Sequence, residues 1–169
     1  RKKREVQPVK LTLPLYYQTD YDQPIFTWKD RAITVAESGC GATCVSMVIG
    51  YFEPHREPEP DEIMRLAGEM GFYRGDGLGR DALRLLLAEY GIEGRWRALD
   101  ARAIENTLRK GRPIIEYVGP GYFTIMSFCA ALPPTANCLS PIRTAKKTRC
   151  TRPIALRRCS GRRRAIIRS

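Results

Sequence analysis

The chain has 169 residues, with 29 Lys and Arg against 18 Asp and Glu, for a formal net charge of +11. That length suits one domain with appendages, and no apolar run approaches the ~18–20 residues that a membrane-spanning helix requires. All of the excess charge falls in residues 117–169, because residues 1–116 hold 18 basic and 18 acidic side chains and Glu116 is the last acidic residue.

Residues 1–10 read as a solvated basic leader. Arg1-Lys2-Lys3-Arg4 has no apolar stretch behind it of the kind a signal peptide carries. Location stays open, an extracellular or membrane-associated one included should a segment precede Arg1. Leu11–Tyr17 alternates loosely and predicts a short strand. Gln18–Lys29, with Asp20, Asp22 and Pro24, predicts an irregular loop.

Gly41–Phe52 is apolar all round, which predicts a central, buried helix rather than a surface one. A proline-bearing loop follows at Glu53–Glu59. Pro60–Met70 places Ile63, Leu66, Ala67 and Met70 at i, i+3, i+4 and i+7, the spacing of an amphipathic helix. Pro60 suits its first turn and Gly71 its end. Phe72–Gly79 reads as a glycine-rich loop. Asp81–Tyr90 repeats the helical spacing and stops at Gly91. Ile92–Leu99 predicts a strand. Asp100 is a fitting N-cap for a helix over Ala101–Lys110, closed by Gly111. Pro113–Val118 predicts another strand. From Phe123 onward no helical or strand period is visible, and Arg and Cys are scattered. The division is therefore a basic leader (1–10), an α+β domain (11–123) and a basic tail (124–169).

The six cysteines give no zinc pattern. There is no C-x-x-C, and the single histidine, His55, has no cysteine at metal-ligand spacing. No cofactor is called for. Cys40, within Ser38-Gly39-Cys40-Gly41-Ala42-Thr43-Cys44, leads directly into the predicted buried helix. A thiol at a helix N-terminus sits at the positive end of the macrodipole, which favours the nucleophilic thiolate. Gly39 and Gly41 let backbone and substrate approach closely. The plainer reading of Cys40, a small buried residue like most free cysteines, stands level with it on local sequence alone.

The run from Gly39 to Val48 resembles the nucleophile motif of papain-like cysteine peptidases of family thirty-nine. That family includes the double-glycine leader peptidases of bacteriocin exporters and a group of stand-alone relatives. Leu13-Pro14-Leu15-Tyr16-Tyr17-Gln18, Pro60-Asp61-Glu62-Ile63 and Gly111-Arg112-Pro113-Ile114-Ile115 resemble further segments of the stand-alone group, in order. The resemblance covers roughly Leu11 to Thr124. It implies a papain-like α+β fold, a central nucleophile helix on a small antiparallel sheet, with peptide or protein substrates. It also implies Cys40 as nucleophile and Gln18 as an oxyanion-hole donor beside the Cys40 N–H. Gln18 reads equally well as a solvated loop amide. Cys44, one turn on, reads as packing, and His55 as a surface residue.

The departure lies in the tail. Cysteine peptidases need a histidine base and a group to orient it, yet no histidine follows His55 and no acidic residue follows Glu116. Codon degeneracy offers an account. Read from the third base of each codon, Thr124-Ile125-Met126 permits His-His, Pro134-Thr135-Ala136 permits Asp-Gly, and Leu139–Arg143 permits Val-Ala-Asp-Pro. A reading-frame error near Thr124 would thus have removed the catalytic His and Asp and left the chain inactive. Two alternatives are a non-catalytic peptide-binding pseudo-enzyme and a basic tail for nucleic acid or acidic surfaces. The tail has no aromatic residue after Phe128 to stack on bases, which argues against nucleic acid.

Overall fold

The computed structural model describes residues 9–97, 100–119, 122–126, 128–129 and 164–168. The chain runs through β1 (Val9–Lys10), a 3-10 turn (Gln18–Asp20), β2 (Pro24–Trp28), β3 (Arg31–Thr34), α1 (Val35–Ser38) and α2 (Cys40–Phe52). It continues with α3 (Pro60–Glu69), α4 (Arg80–Glu89), β4 (Glu93–Arg97), α5 (Ala101–Arg109), β5 (Ile114–Gly119), β6 (Tyr122–Met126), β7 (Phe128–Cys129) and β8 (Arg164–Arg168). The fold is mixed α+β.

The helices end where the sequence signals them. Asp100 accepts a hydrogen bond from the Ala103 N–H at 2.7 Å and so caps α5. Gly71, Gly91 and Gly111, just past α3, α4 and α5, all adopt left-handed φ of +68° to +69°, the conformation glycine reaches without steric cost. Of α2, Gly41 through Gly50 are all buried, as an all-apolar helix demands. It packs against α3, α4 and β6.

Two expectations fail upstream of α2. Leu11–Tyr17 forms no strand. Pro14, which has no N–H for a ladder, instead crosses α2 at Gly50, where an added Cβ would lie 2.7 Å from the Pro14 ring. Leu11 is buried with Ile104, Leu108 and Ile114, and Leu13 packs beside them. Gln18–Lys29, expected to be irregular, contains β2, which pairs antiparallel with β3. The turn residues Lys29 and Asp30 have φ of +47° and +62°. A two-residue hairpin of this hand normally advertises itself with glycine, and none is present here.

The main sheet has the order β4-β8-β5-β6. β5 and β6 are antiparallel, but β8 runs parallel to both β4 and β5. This sheet is therefore mixed rather than antiparallel, and the antiparallel expectation holds for β1–β7, β2–β3 and β5–β6. Residues 124–169, whose sequence shows no strand period, nonetheless contain strand. β6 extends through Met126, and Arg164–Arg168 occupies the slot between β4 and β5. A short strand paired on both sides owes its conformation to distant partners, so its own five residues show no pattern. Cys138, Cys150 and Cys159 lie outside the described residues, as do residues 134–143, where the shifted frame permits Asp-Gly and Asp-Pro.

Neighbouring residues of a strand point to opposite faces, and β5 uses both. Ile115 joins the core of α2, α3 and α4 with Val45, Val48, Ile49, Leu83 and Leu87. Ile114 joins the cluster under α5. Both are fully buried, so β5 has a core on each side.

Candidate functional site

α1 and α2 meet at Gly39. An added Cβ there would lie 2.5 Å from Val35 Cγ1 and 2.7 Å from Val35 Cα, so only glycine lets the two helices turn this tightly. The Gly39 peptide is held at both ends. Its N–H donates to the Val35 carbonyl at 2.8 Å, and its own carbonyl accepts from the Thr43 N–H at 2.9 Å and the Thr43 hydroxyl at 3.0 Å.

Cys40 is the first residue of α2 and is partly exposed, whereas the ten positions after it are buried. Its thiol thus stands at the positive end of a thirteen-residue helix, where anionic sulfur is favoured. Cys44 lies one turn below, 3% exposed, within the core. Burial pushes its thiol well above the usual range, and a thiolate on Cys40 pushes the same way. Burial thus disfavours a Cys44 thiolate, and Cys40 is the sulfur nearer solvent. Neither forms a disulfide.

Gln18 is brought to the same end of α2. Its Nε2 donates to the Ala36 carbonyl at 3.0 Å, four residues before Cys40. The Ala36 N–H in turn donates to the Tyr21 carbonyl at 2.9 Å. The segment Gln18–Tyr21 therefore clamps α1 through both backbone polar groups of Ala36. The second N–H of the Gln18 amide is not used in that bond.

His55 is exposed, beyond the C-terminal end of α2. At ~1.5 Å of rise per residue it stands roughly 20 Å from Cys40, far outside the reach of proton transfer. No group of three or more His, Cys, Asp or Glu among the described residues is arranged to hold a metal ion. No helix among them is long and apolar enough to cross a membrane.

Two neighbours of the site carry no sequence signal of their own. Ser38, 7% exposed, and Tyr73, 5% exposed, are 35 positions apart, yet their hydroxyls lie 3.2 Å from each other. Tyr73 sits in a loop with no periodicity, and only the folded chain shows its partner.

Comparison of the chain with protein-family models, with curated proteins and with solved structures finds no match. What the coordinates define is an α+β domain that presents a thiol at the start of a buried helix.

Proposed function

We propose that residues 11–123 are the core of a papain-like cysteine peptidase domain, with Cys40 as the nucleophile that attacks the scissile carbonyl of a peptide. The observation that carries this reading is the placement of Cys40: first residue of the buried α2, partly exposed, with Gly39 before it and a neutral, buried Cys44 beneath. In such chemistry sulfur bonds to the carbonyl carbon, the amine leaves with a proton, and water then releases the acid. Gln18, docked on α1, is the candidate to support the oxyanion beside the Cys40 N–H.

Turnover by the chain as written is expected to be little or none. No histidine follows His55, and His55 lies at the wrong end of α2. The codons of Thr124, Ile125 and Met126, which permit His-His in the shifted frame, fall within β6, and β6 packs against α2. That placement supports a lost base at this strand. The missing base equally favours a second reading, a pseudo-enzyme that holds peptide without cleaving it.

The experiment compares this chain with a frame-restored version on a panel of unstructured peptides, each with a Cys40→Ala control. Turnover that appears only on restoration and vanishes with Cys40→Ala supports the peptidase reading. Cys40-dependent turnover by the chain as written overturns the expectation of inactivity. Peptide binding by the chain as written, with no cleavage by the restored chain, favours the pseudo-enzyme.

A further inference from the structure

The loop at residues 72–79 is locked to the aromatic side chains of β2. Tyr73 packs edge-on against Phe26, with ring centroids 5.4 Å apart, and against Trp28 at 5.5 Å. Gly75 has φ of +96°, and an added Cβ there would lie 2.7 Å from Trp28 Cη2. The loop can therefore close on Trp28 only with glycine at this position. This assembly delivers one polar atom, the Tyr73 hydroxyl, to the turn that precedes Cys40.

That hydroxyl lies 3.0 Å from the Gly75 carbonyl and 3.2 Å from Ser38 Oγ. One phenolic proton serves one acceptor. A carbonyl only accepts, whereas a serine hydroxyl can donate. The consistent arrangement has Tyr73 donating to Gly75 and accepting from Ser38. The other partner within reach of Ser38, the Thr34 carbonyl, is at 3.5 Å, the limit of a useful bond. Ser38 is the last residue of α1 and is separated from Cys40 only by Gly39.

We propose that Tyr73 is a positioning residue for the nucleophile: through Ser38 it fixes the turn that sets Cys40 at the start of α2. The proposal rests on Cys40 as the reactive thiol. It adds that the reactivity of this thiol is set in part by a hydroxyl from a loop distant in sequence. Loosening the turn lets Cys40 move off the helix end, so its thiolate is less favoured and its attack slower.

The test is the rate of alkylation of Cys40 by iodoacetamide in the full chain. It is measured from pH 5 to 9 and read on the Cys40-containing peptide by mass spectrometry, so that the other cysteines do not contribute. Tyr73→Phe keeps the ring and removes the hydroxyl; Ser38→Ala removes the other partner. Each is expected to slow Cys40 alkylation at mildly acidic pH by roughly 2- to 10-fold, the factor that one neutral hydrogen bond represents. Each should also move the midpoint of the rate profile upward. The double variant should be no slower than the singles, because both remove one interaction.

Tyr51→Phe is the control. It removes a hydrogen bond of similar length, 3.1 Å to the Gly111 carbonyl, from the opposite part of α2. It should lower the melting temperature without moving the Cys40 profile. An unchanged profile in both Tyr73→Phe and Ser38→Ala, or the same shift with Tyr51→Phe, overturns the proposal. Failure of the underlying reading looks different: Cys40 in the unmodified chain would then react no faster than a free thiol at any pH.

Discussion

Gln18 and Ala36 are joined by a hydrogen bond of 3.0 Å, in which the side-chain amide donates to a helix carbonyl just upstream of Cys40. Because that carbonyl can only accept, the amide must present its nitrogen here. Gln18→Ala should lower stability by about 0.5–1.5 kcal/mol, the usual net worth of such a bond. Gln18→Glu should cost more at neutral pH, since a carboxylate would face the Ala36 carbonyl with no proton to share. Urea midpoints of the three proteins check the order. Equal midpoints for Ala and Glu would mean that the amide contributes only its bulk.

Gly39→Ala should destabilise by roughly 1–3 kcal/mol, the range of overpacking in a close-packed site. The added methyl meets Val35 Cγ1 at 2.5 Å, Val35 Cα at 2.7 Å and the Val35 carbonyl oxygen at 2.8 Å. Two of these are backbone atoms of α1 and cannot rotate away. Thermal unfolding measures the loss. A compensating Val35→Ala would relieve only the Cγ1 contact and would itself empty a buried site, so it should not restore the lost stability.

High pH should weaken the fold through its tyrosines. Tyr16 ionises well above its ordinary value of 10.0, first because it is partly buried, then because it donates at 2.7 Å to the Glu57 carboxylate. Tyr21, Tyr51 and Tyr90 are shifted the same way, each mainly by burial. A raised native value means that, above about pH 10, the unfolded chain releases protons that the native chain retains. Stability is therefore full below that pH and falls as pH rises through the native values. Phenolate absorbance should rise later in the native protein than in the denatured one. Tyr16→Phe should remove part of that delay and flatten the alkaline loss of stability.

Ile114→Ala and Ile115→Ala should each cost roughly 2–5 kcal/mol, because both side chains are fully buried. They empty different clusters, one under α5 and the other beside α2. Hydrogen exchange should separate them: Ile114→Ala loosens α5 first, and Ile115→Ala loosens α2 and α4 first. Identical exchange patterns would mean that the two faces unfold as one unit.

The contrast between these residues shows what a sequence carries. Asp100 and the glycines after α3, α4 and α5 act within a few residues, so their roles were visible in order along the chain. The place of Cys40 at the start of a buried helix was legible for the same reason, since Gly39 and Gly41 flank it ahead of an apolar run. The two cores of β5 were not, since two adjacent isoleucines read as a strand without saying what covers each face. Lys29-Asp30 concealed a hairpin because it lacks the glycine that usually marks one, although Asp tolerates positive φ. Ser38 and Tyr73 meet across 35 positions, and β8 pairs with two strands far from it in sequence. Contacts of that kind have no local pattern to read.

The C-terminal strand offers the sharpest test of what the basic tail does. Ile166 pairs with Arg95 on one side and Ile114 on the other, so β8 joins two strands that are not paired with each other. Proline at a central strand position removes an N–H from the ladder and is tolerated essentially only at edges. Ile166→Pro should therefore lower the melting temperature by several degrees or more and broaden the transition. A tail that served only as a polyanion-binding arm would behave otherwise. Ile166→Pro would leave melting unchanged, and deletion of residues 164–169 would alter salt-dependent retention on heparin alone. Loss of cooperativity in the proline variant, with heparin retention kept, would place these residues in the sheet as structure. The basic charge there would then reflect the residues that flank a central strand rather than an acidic partner.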